Sequence, residues 1–194
     1  VPHVSAAGDC VETWLPLLNG PGYLPLGTTA HKQGRVAGTN AVGGDCVFAG
    51  ALGTQVVQVF ELAIARTGLR DDEARRARYQ PHSSDVVVDD HKAYYPGATP
   101  LTVRVSGDRP TGRLLGAQIV GHRSTQVAKR IDIYAAAIHT SLTIDAINDL
   151  DLGYTPPYSS PWDPVQIAAQ AWTGTVGYGP PNRSQEGQPD GARP

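Results

Sequence analysis

The segment from Leu101 to His122 constrains the fold more than any other part of the sequence. Leu101–Ser106 alternates apolar residues with Thr102, Arg104 and Ser106. Asp108-Arg109-Pro110-Thr111-Gly112 then supplies turn chemistry, and Leu114–His122 returns as a second, mostly apolar run. A period of two running into a Pro/Gly turn, with a second apolar run after it, is a β-hairpin signature. Further apolar runs precede it: Thr54–Thr67, read as one strand opening with several valines, and Asp85–Asp90 around three consecutive valines. Arg70–Tyr79 reads as a short charged helix between these two. After the hairpin the period changes. Val127, Ile131, Tyr134 and Ile138 recur at helical spacing within Gln126–Thr140. Thr143–Leu150 reads as a second, short helix, and Asp163-Pro164 opens a last one reaching Trp172. Strands followed by paired helices predict an α+β domain: an antiparallel sheet covered on one side by packed helices.

Before residue 45 the texture differs. Val4–Ala7 reads as a short buried strand stopping at Gly8-Asp9. Asn19-Gly20-Pro21-Gly22 marks Leu17–Pro25 as a loop. A helix over Ala30–Val42, capped by Thr28 or Thr29 and closed by Gly43-Gly44, projects Lys32 and Arg35 from its surface. Three units are therefore expected: a strand–helix unit over 1–44, a sheet-and-helix domain over 45–175, and a disordered tail over 176–194. The tail is Gly, Pro, Ser, Gln and charge, with too little apolar surface to offset its ordering entropy.

Bulk properties exclude several function classes. The net charge of −2 gives no global attraction to nucleic acid or anionic lipid. The most apolar run, Ile133–Ile144, contains His139 and is too short to span a bilayer. No basic region followed by an apolar one opens the chain, so no secretory signal is expected. Cys10 and Cys46 lie far apart, without C-x-x-C spacing or a histidine pair; free structural thiols in a cytoplasmic protein and no metal site are expected.

Four constellations can carry chemistry. Gly8-Asp9 after a strand places a carboxylate where a glycine permits close approach, suited to accepting a hydroxyl hydrogen bond. A lone Gly-Asp is more often a plain turn. The helix start at Leu26-Gly27-Thr28 presents unpaired N–H groups and a partial positive charge, able to stabilise an anion formed on a reducible ring. Many surface helices start in the same way. Tyr94-Tyr95-Pro96-Gly97 makes a rigid aromatic turn, where packing at a sheet edge is the bland alternative for one tyrosine. Tyr154-Thr155-Pro156-Pro157-Tyr158, running on to Trp162-Asp163-Pro164, fixes aromatic hydroxyls at low entropic cost. It equally suits a loop bracing the last helix.

In combination and in this order the segments are specific. Gly8-Asp9, Pro25-Leu26-Gly27-Thr28-Thr29-Ala30-His31-Lys32-Gln33-Gly34-Arg35-Val36-Ala37-Gly38, Tyr94 to Ala98, Thr111 to Gln118, Lys129 to Asp132 and Tyr154 to Pro164 together resemble the NADH oxidase and coenzyme A-disulfide reductase branch of the flavin-dependent pyridine nucleotide-disulfide oxidoreductases. The resemblance runs from about Val4 to about Trp172. It implies that 1–44 is the C-terminal remnant of an FAD-binding domain and 45–175 the interface domain of a homodimer. By the same resemblance, Gly8 and Asp9 bind FAD, Asp9 through the ribityl hydroxyls, and the N–H groups around Leu26, Gly27 and Thr28 face the isoalloxazine. His31 meets the thiol substrate, at a position where many relatives carry Asn. Tyr154 and Tyr95, with Tyr94 in second place, are the catalytic tyrosines supplied across the dimer. Where the coenzyme A branch has a substrate-contacting Lys, this chain has Trp162.

No G-x-G-x-x-G fingerprint is present, so the cradles for the ADP half of FAD and for NAD(P)H are missing, as is the family's redox cysteine. The chain is therefore expected to be part of a longer enzyme, inactive alone, whose N-terminal FAD and NAD(P) domains complete it. That enzyme would use NAD(P)H and FAD to reduce coenzyme A disulfide or persulfide, or dioxygen. A stand-alone dimerisation module without redox activity is the alternative.

Overall fold

A computed structural model describes residues 4–177. Five strands form one antiparallel sheet: β3 (Gln55–Val59), β4 (Leu62–Gly68), β5 (Pro81–Asp89), β6 (Pro100–Asp108) and β7 (Leu114–His122), in the order β3-β4-β7-β6-β5. The predicted hairpin is the β6–β7 pair at its centre, with Val103 opposite Ile119 and Leu101 opposite Gly121. Helix α3 (Val127–His139) packs over β4 and β7, and α4 (Pro164–Val176) over β5 and β6. Leu101, Val103, Val105, Ile119, Ile131, Tyr134 and Trp172 form the fully buried layer between sheet and helices. The α+β expectation, a sheet with helices on one side, describes this architecture.

Several boundaries differ from the sequence reading, each for a physical reason. Thr54–Thr67 is two strands, not one. Phe60 takes φ 53° at the tip of the β3–β4 hairpin and is 89% exposed. A Phe-Glu tip lacks the Gly, Asn or Pro that betrays a turn, so the run read as continuous. Val4–Ala7 forms no strand, because no neighbouring strand among the described residues lies alongside to complete a ladder. The segment read as a loop carries instead a small ribbon, β1 (Thr13–Leu15) paired with β2 (Gly20–Gly22). Thr143–Leu150 tightens to a 3₁₀ turn over Asp145–Asp149. The first helix, α1 (Gly27–Ala41), begins three residues early, and neither Thr28 nor Thr29 caps it. The charged helix shortens to α2 (Asp71–Arg76). Helix α4 runs beyond Trp172 to Val176 and ends on left-handed Gly177, and 178–194 lie outside the described residues.

Asp163 starts α4 by a capping box. Its carboxylate accepts the Val165 N–H at 2.9 Å, while the Gln166 side chain accepts the Asp163 N–H at 3.2 Å. The same carboxylate accepts the Ser159 hydroxyl at 2.6 Å and the guanidinium of Arg130 in the first turns of α3, with Nη2 at 3.2 Å and Nε at 3.3 Å. Arg130 Nη2 also donates to the carbonyls of Asp90 at 2.7 Å and Tyr158 at 3.2 Å. Its side chain is 4% exposed and that of Asp163 10%. One buried cation thus joins both core helices to the loops 90–99 and 151–163. Losing one partner leaves the other charged and buried, which costs about 3–5 kcal/mol. By contrast, the bidentate Arg104–Asp85 pair lies on the open face with both side chains near half exposed.

Close packing makes Gly107 equally exacting. A Cβ there would collide with Ile144 and lie 2.7 Å from the Trp172 ring. Trp172 cannot move aside, because its indole N–H donates to the His82 carbonyl at 2.7 Å.

Two outcomes are expected in urea unfolding. Asp163→Ala should lower stability by about 3–5 kcal/mol, against less than about 1 kcal/mol for Arg104→Ala; comparable losses would contradict the organising role of Arg130. Gly107→Ala should cost about 1–3 kcal/mol by overpacking, and a neutral result would show that Trp172 can yield.

Candidate functional site

The chemistry-bearing residues fall into two groups. The first surrounds the start of α1. Its N-cap, Leu26, is extended (φ −124°, ψ 135°), offers no side-chain cap, and no acidic residue lies in the first turn. The helix end therefore keeps unpaired N–H groups and an uncompensated positive dipole, a setting that favours an anionic partner. Gly27 and Thr28 are exposed, and a Cβ on Gly27 would meet nothing within 4 Å. Gly8 is pinned beside this turn. Its φ is 93°, its N–H donates to Gln33 Oε1 at 2.9 Å, and a Cβ on it would lie 3.8 Å from Ala30 Cβ. Gln33, almost fully buried, also donates to Thr13 Oγ1 at 3.0 Å, locking α1 to the β1–β2 ribbon. Asp9 and the first turn of α1 are thereby neighbours, with the Asp9 carboxylate exposed. His31 is exposed on the same turn.

The second group occupies loops 90–99 and 151–163. Tyr154 meets Tyr94: its phenol is held above the ordinary tyrosine range by partial desolvation first, then by the charge and hydrogen bonding of Tyr94. Both rings remain accessible, at 45% and 74%. Tyr95, placed first by the resemblance, turns instead toward His91, with ring centroids 6.1 Å apart and an edge-on angle of 73°. His91 is buried and its Nδ1 lies 3.0 Å from Asp90 Oδ1, which also accepts the Thr99 N–H at 2.9 Å. The two loops touch through the Lys92 N–H and the Pro156 carbonyl at 3.3 Å, and Arg130 grips both from beneath. Trp162 is half exposed beside the α4 cap.

Arg130 and the Asp90–His91 pair were not foreseen from sequence. A signal for Arg130 was present: a charged residue beside Ile131 in the apolar phase of Val127, Ile131 and Tyr134 implies a buried partner.

The two groups do not meet. Thr28 and Thr29 of α1 face Ala135 and His139 in the last turns of α3, whereas the tyrosine loops are tied to Arg130 near its start. Arg130 and His139 are nine residues apart, about 14 Å along a helix, more than a tyrosine side chain spans. Cys10 and Cys46 are unpaired, and no group of three or more His, Cys, Asp or Glu among the described residues could hold a metal ion. None of the described helices is long and apolar enough to cross a membrane.

Comparison with known proteins identifies the family. The family described as pyridine nucleotide-disulphide oxidoreductase, dimerisation domain, matches residues 54–164. The NAD(P)H sulfur oxidoreductase (CoA-dependent) of Pyrococcus furiosus is 35% identical over 170 residues, covering 88% of this chain and 38% of that protein. The coenzyme A disulfide reductase of Staphylococcus haemolyticus is 34% identical over 168 residues, covering 86% and 37%. The structure of an NAD-dependent persulfide reductase from A. fulgidus superposes with a TM-score of 0.83 at 38% identity, covering 89% of this chain and 32% of that one. The chain thus spans well under half the length of the relatives it matches. It belongs to the pyridine nucleotide-disulphide oxidoreductases, through their dimerisation domain.

Proposed function

We propose that this chain is the C-terminal region of a flavin-dependent NAD(P)H oxidoreductase, where it dimerises the enzyme and completes two active sites. In the longer enzyme the substrate is coenzyme A disulfide or persulfide, in line with the relatives' names; dioxygen is the competing acceptor. The observation that carries the reading is the separation of the two groups. The start of α1 and the tyrosine pair lie at opposite ends of α3, so the tyrosines of one chain serve the flavin edge of a twin. A row of four aliphatic residues on the open sheet face supports association: Val57, Ile64, Val120 and Val87 align across the strands with Thr102 between the last two, and Val57, Ile64 and Val87 are exposed. A cytoplasmic setting, where thiols stay reduced, suits the two unpaired cysteines.

The residues at α1 fit FAD. The uncapped helix start and the exposed carboxylate beside it leave both an anion-favouring and a hydroxyl-accepting surface. The N–H groups of Gly27 and Thr28 would hold the electron-rich edge of the ring, and Asp9, next to Gly8, would accept a ribityl hydroxyl. Bound there, FAD would supply the hydride acceptor for NAD(P)H and the donor to the next centre. His31 would face the thiol substrate. Tyr154 and Tyr94, supplied across the dimer, would donate hydroxyl hydrogen bonds to substrate, and the upward shift of the Tyr154 phenol favours its neutral, donating form. Tyr95, turned to His91, would brace the loop.

Four measurements test this reading. In the longer enzyme, NAD(P)H oxidation should be faster with coenzyme A disulfide than with dioxygen alone, and equal failure on both would sink the assignment. Sedimentation at micromolar concentration should show a homodimer, against which a stable monomer would count. Ultraviolet titration of Tyr94→Phe should bring the Tyr154 phenol down toward the ordinary value, since one of the influences raising it is removed. In turnover, Tyr154→Phe should slow disulfide reduction more than flavin reduction, and the reverse order would remove its role.

A further inference from the structure

Between α1, the segment 47–54 and the end of α3 lies a cavity of about 330 Å³ that shares only Thr28 with the residues assigned to the flavin. Small-molecule sites start at roughly this size, about 300–1,000 Å³. Thr28, Lys32 and Arg35 recur at helical spacing and turn one face of α1 toward it, and His139 lines it from the last turn of α3. No acidic residue lines the cavity. Among the described residues, Lys32, Arg35 and His139 have no ion pair or hydrogen bond, whereas Arg66, Arg70, Arg76, Arg104, Arg123 and Arg130 each have a carboxylate partner. Two cations without a counter-charge, beside an imidazole able to donate a hydrogen bond, favour an anion between them.

A second observation points the same way. Thr29 lines the cavity, is 95% buried as a residue (5% exposed), and its hydroxyl makes no hydrogen bond among the described residues. That hydroxyl is not sealed in the protein interior, so it is open to a ligand in the cavity as donor or acceptor. The lining also includes the apolar Val36, Val47 and Phe48. Basic groups and a hydroxyl together with an aromatic ring and aliphatic groups suit a ligand with a phosphate at one end and a flat or apolar body at the other.

We infer that this cavity is a binding site for a small phosphorylated ligand of mononucleotide size, distinct from the flavin edge at the tip of α1. Lys32, Arg35, His139 and Thr29 take the phosphate, and Phe48 and Val47 cover the body of the ligand.

The test is calorimetric titration of the full chain with AMP, inorganic phosphate and adenosine. AMP should bind saturably with one site per chain, more tightly than inorganic phosphate, and adenosine weakest of the three. Lys32→Gln and Arg35→Gln change exposed side chains, so both should keep the parent unfolding temperature while each weakens AMP binding by about tenfold or more. Asp9→Asn, at the flavin edge, should leave AMP binding unchanged, which separates failure of this inference from failure of the flavin reading. Absence of AMP binding, equal binding of AMP and adenosine, undiminished binding in Lys32→Gln and Arg35→Gln, or loss of binding in Asp9→Asn would each overturn the assignment.

Discussion

The ion pair between Arg130 and Asp163 is the constraint on which the rest depends. A guanidinium cannot shed its charge, so burying it obliges the surrounding chain to supply acceptors. Here the acceptors come from two stretches far apart in sequence: the Asp90 carbonyl in one, the Tyr158 carbonyl and the carboxylate that starts α4 in the other. Each acceptor fixes a different element. Desolvation makes such a pair a weak source of net stability, but it makes wrong arrangements expensive. The benefit is specificity: two surface loops rich in proline and tyrosine, which have little core of their own, are held in one arrangement by a residue almost wholly buried.

The sheet works by a plainer division. Its helix-facing side is close-packed, with Gly107 giving up a side chain so that Trp172 and Ile144 can meet the strands. Its other side carries a row of aliphatic residues next to a polar row of Gln55, Arg66, Gln118, Arg104 and Asp85. Alternation along each strand and antiparallel register across the strands produce these rows together, so both faces are set by one pattern.

That pattern explains what sequence could and could not reveal. The β6–β7 hairpin was legible because period-two alternation met a Pro/Gly turn, and α3 because its apolar residues recur at 3.6. The β3–β4 hairpin was not, because Phe60 adopts a left-handed conformation without any of the residues that announce one. Val4–Ala7 has the composition of a strand, yet a strand is a pairwise object and composition cannot supply its neighbour. The site residues were legible only through resemblance, since Gly-Asp or Tyr-Tyr alone is commonplace. By the resemblance Tyr95 ranks above Tyr94; in the structure Tyr95 packs against His91, while Tyr94 meets Tyr154. The unfilled cavity beside α1 lay beyond both routes, because it is made by three segments that no local motif connects.

The placement of the flavin edge and the tyrosines at opposite poles of α3 carries a genetic consequence. In the proposed twofold assembly each reaction centre borrows one pole from each subunit. A mixed dimer formed from one chain damaged at the start of α1 and another damaged in the tyrosine loops would gather both lesions into a single centre and leave the other whole. Two inactive alleles could then restore function to each other, whereas two alleles damaged at the same pole could not.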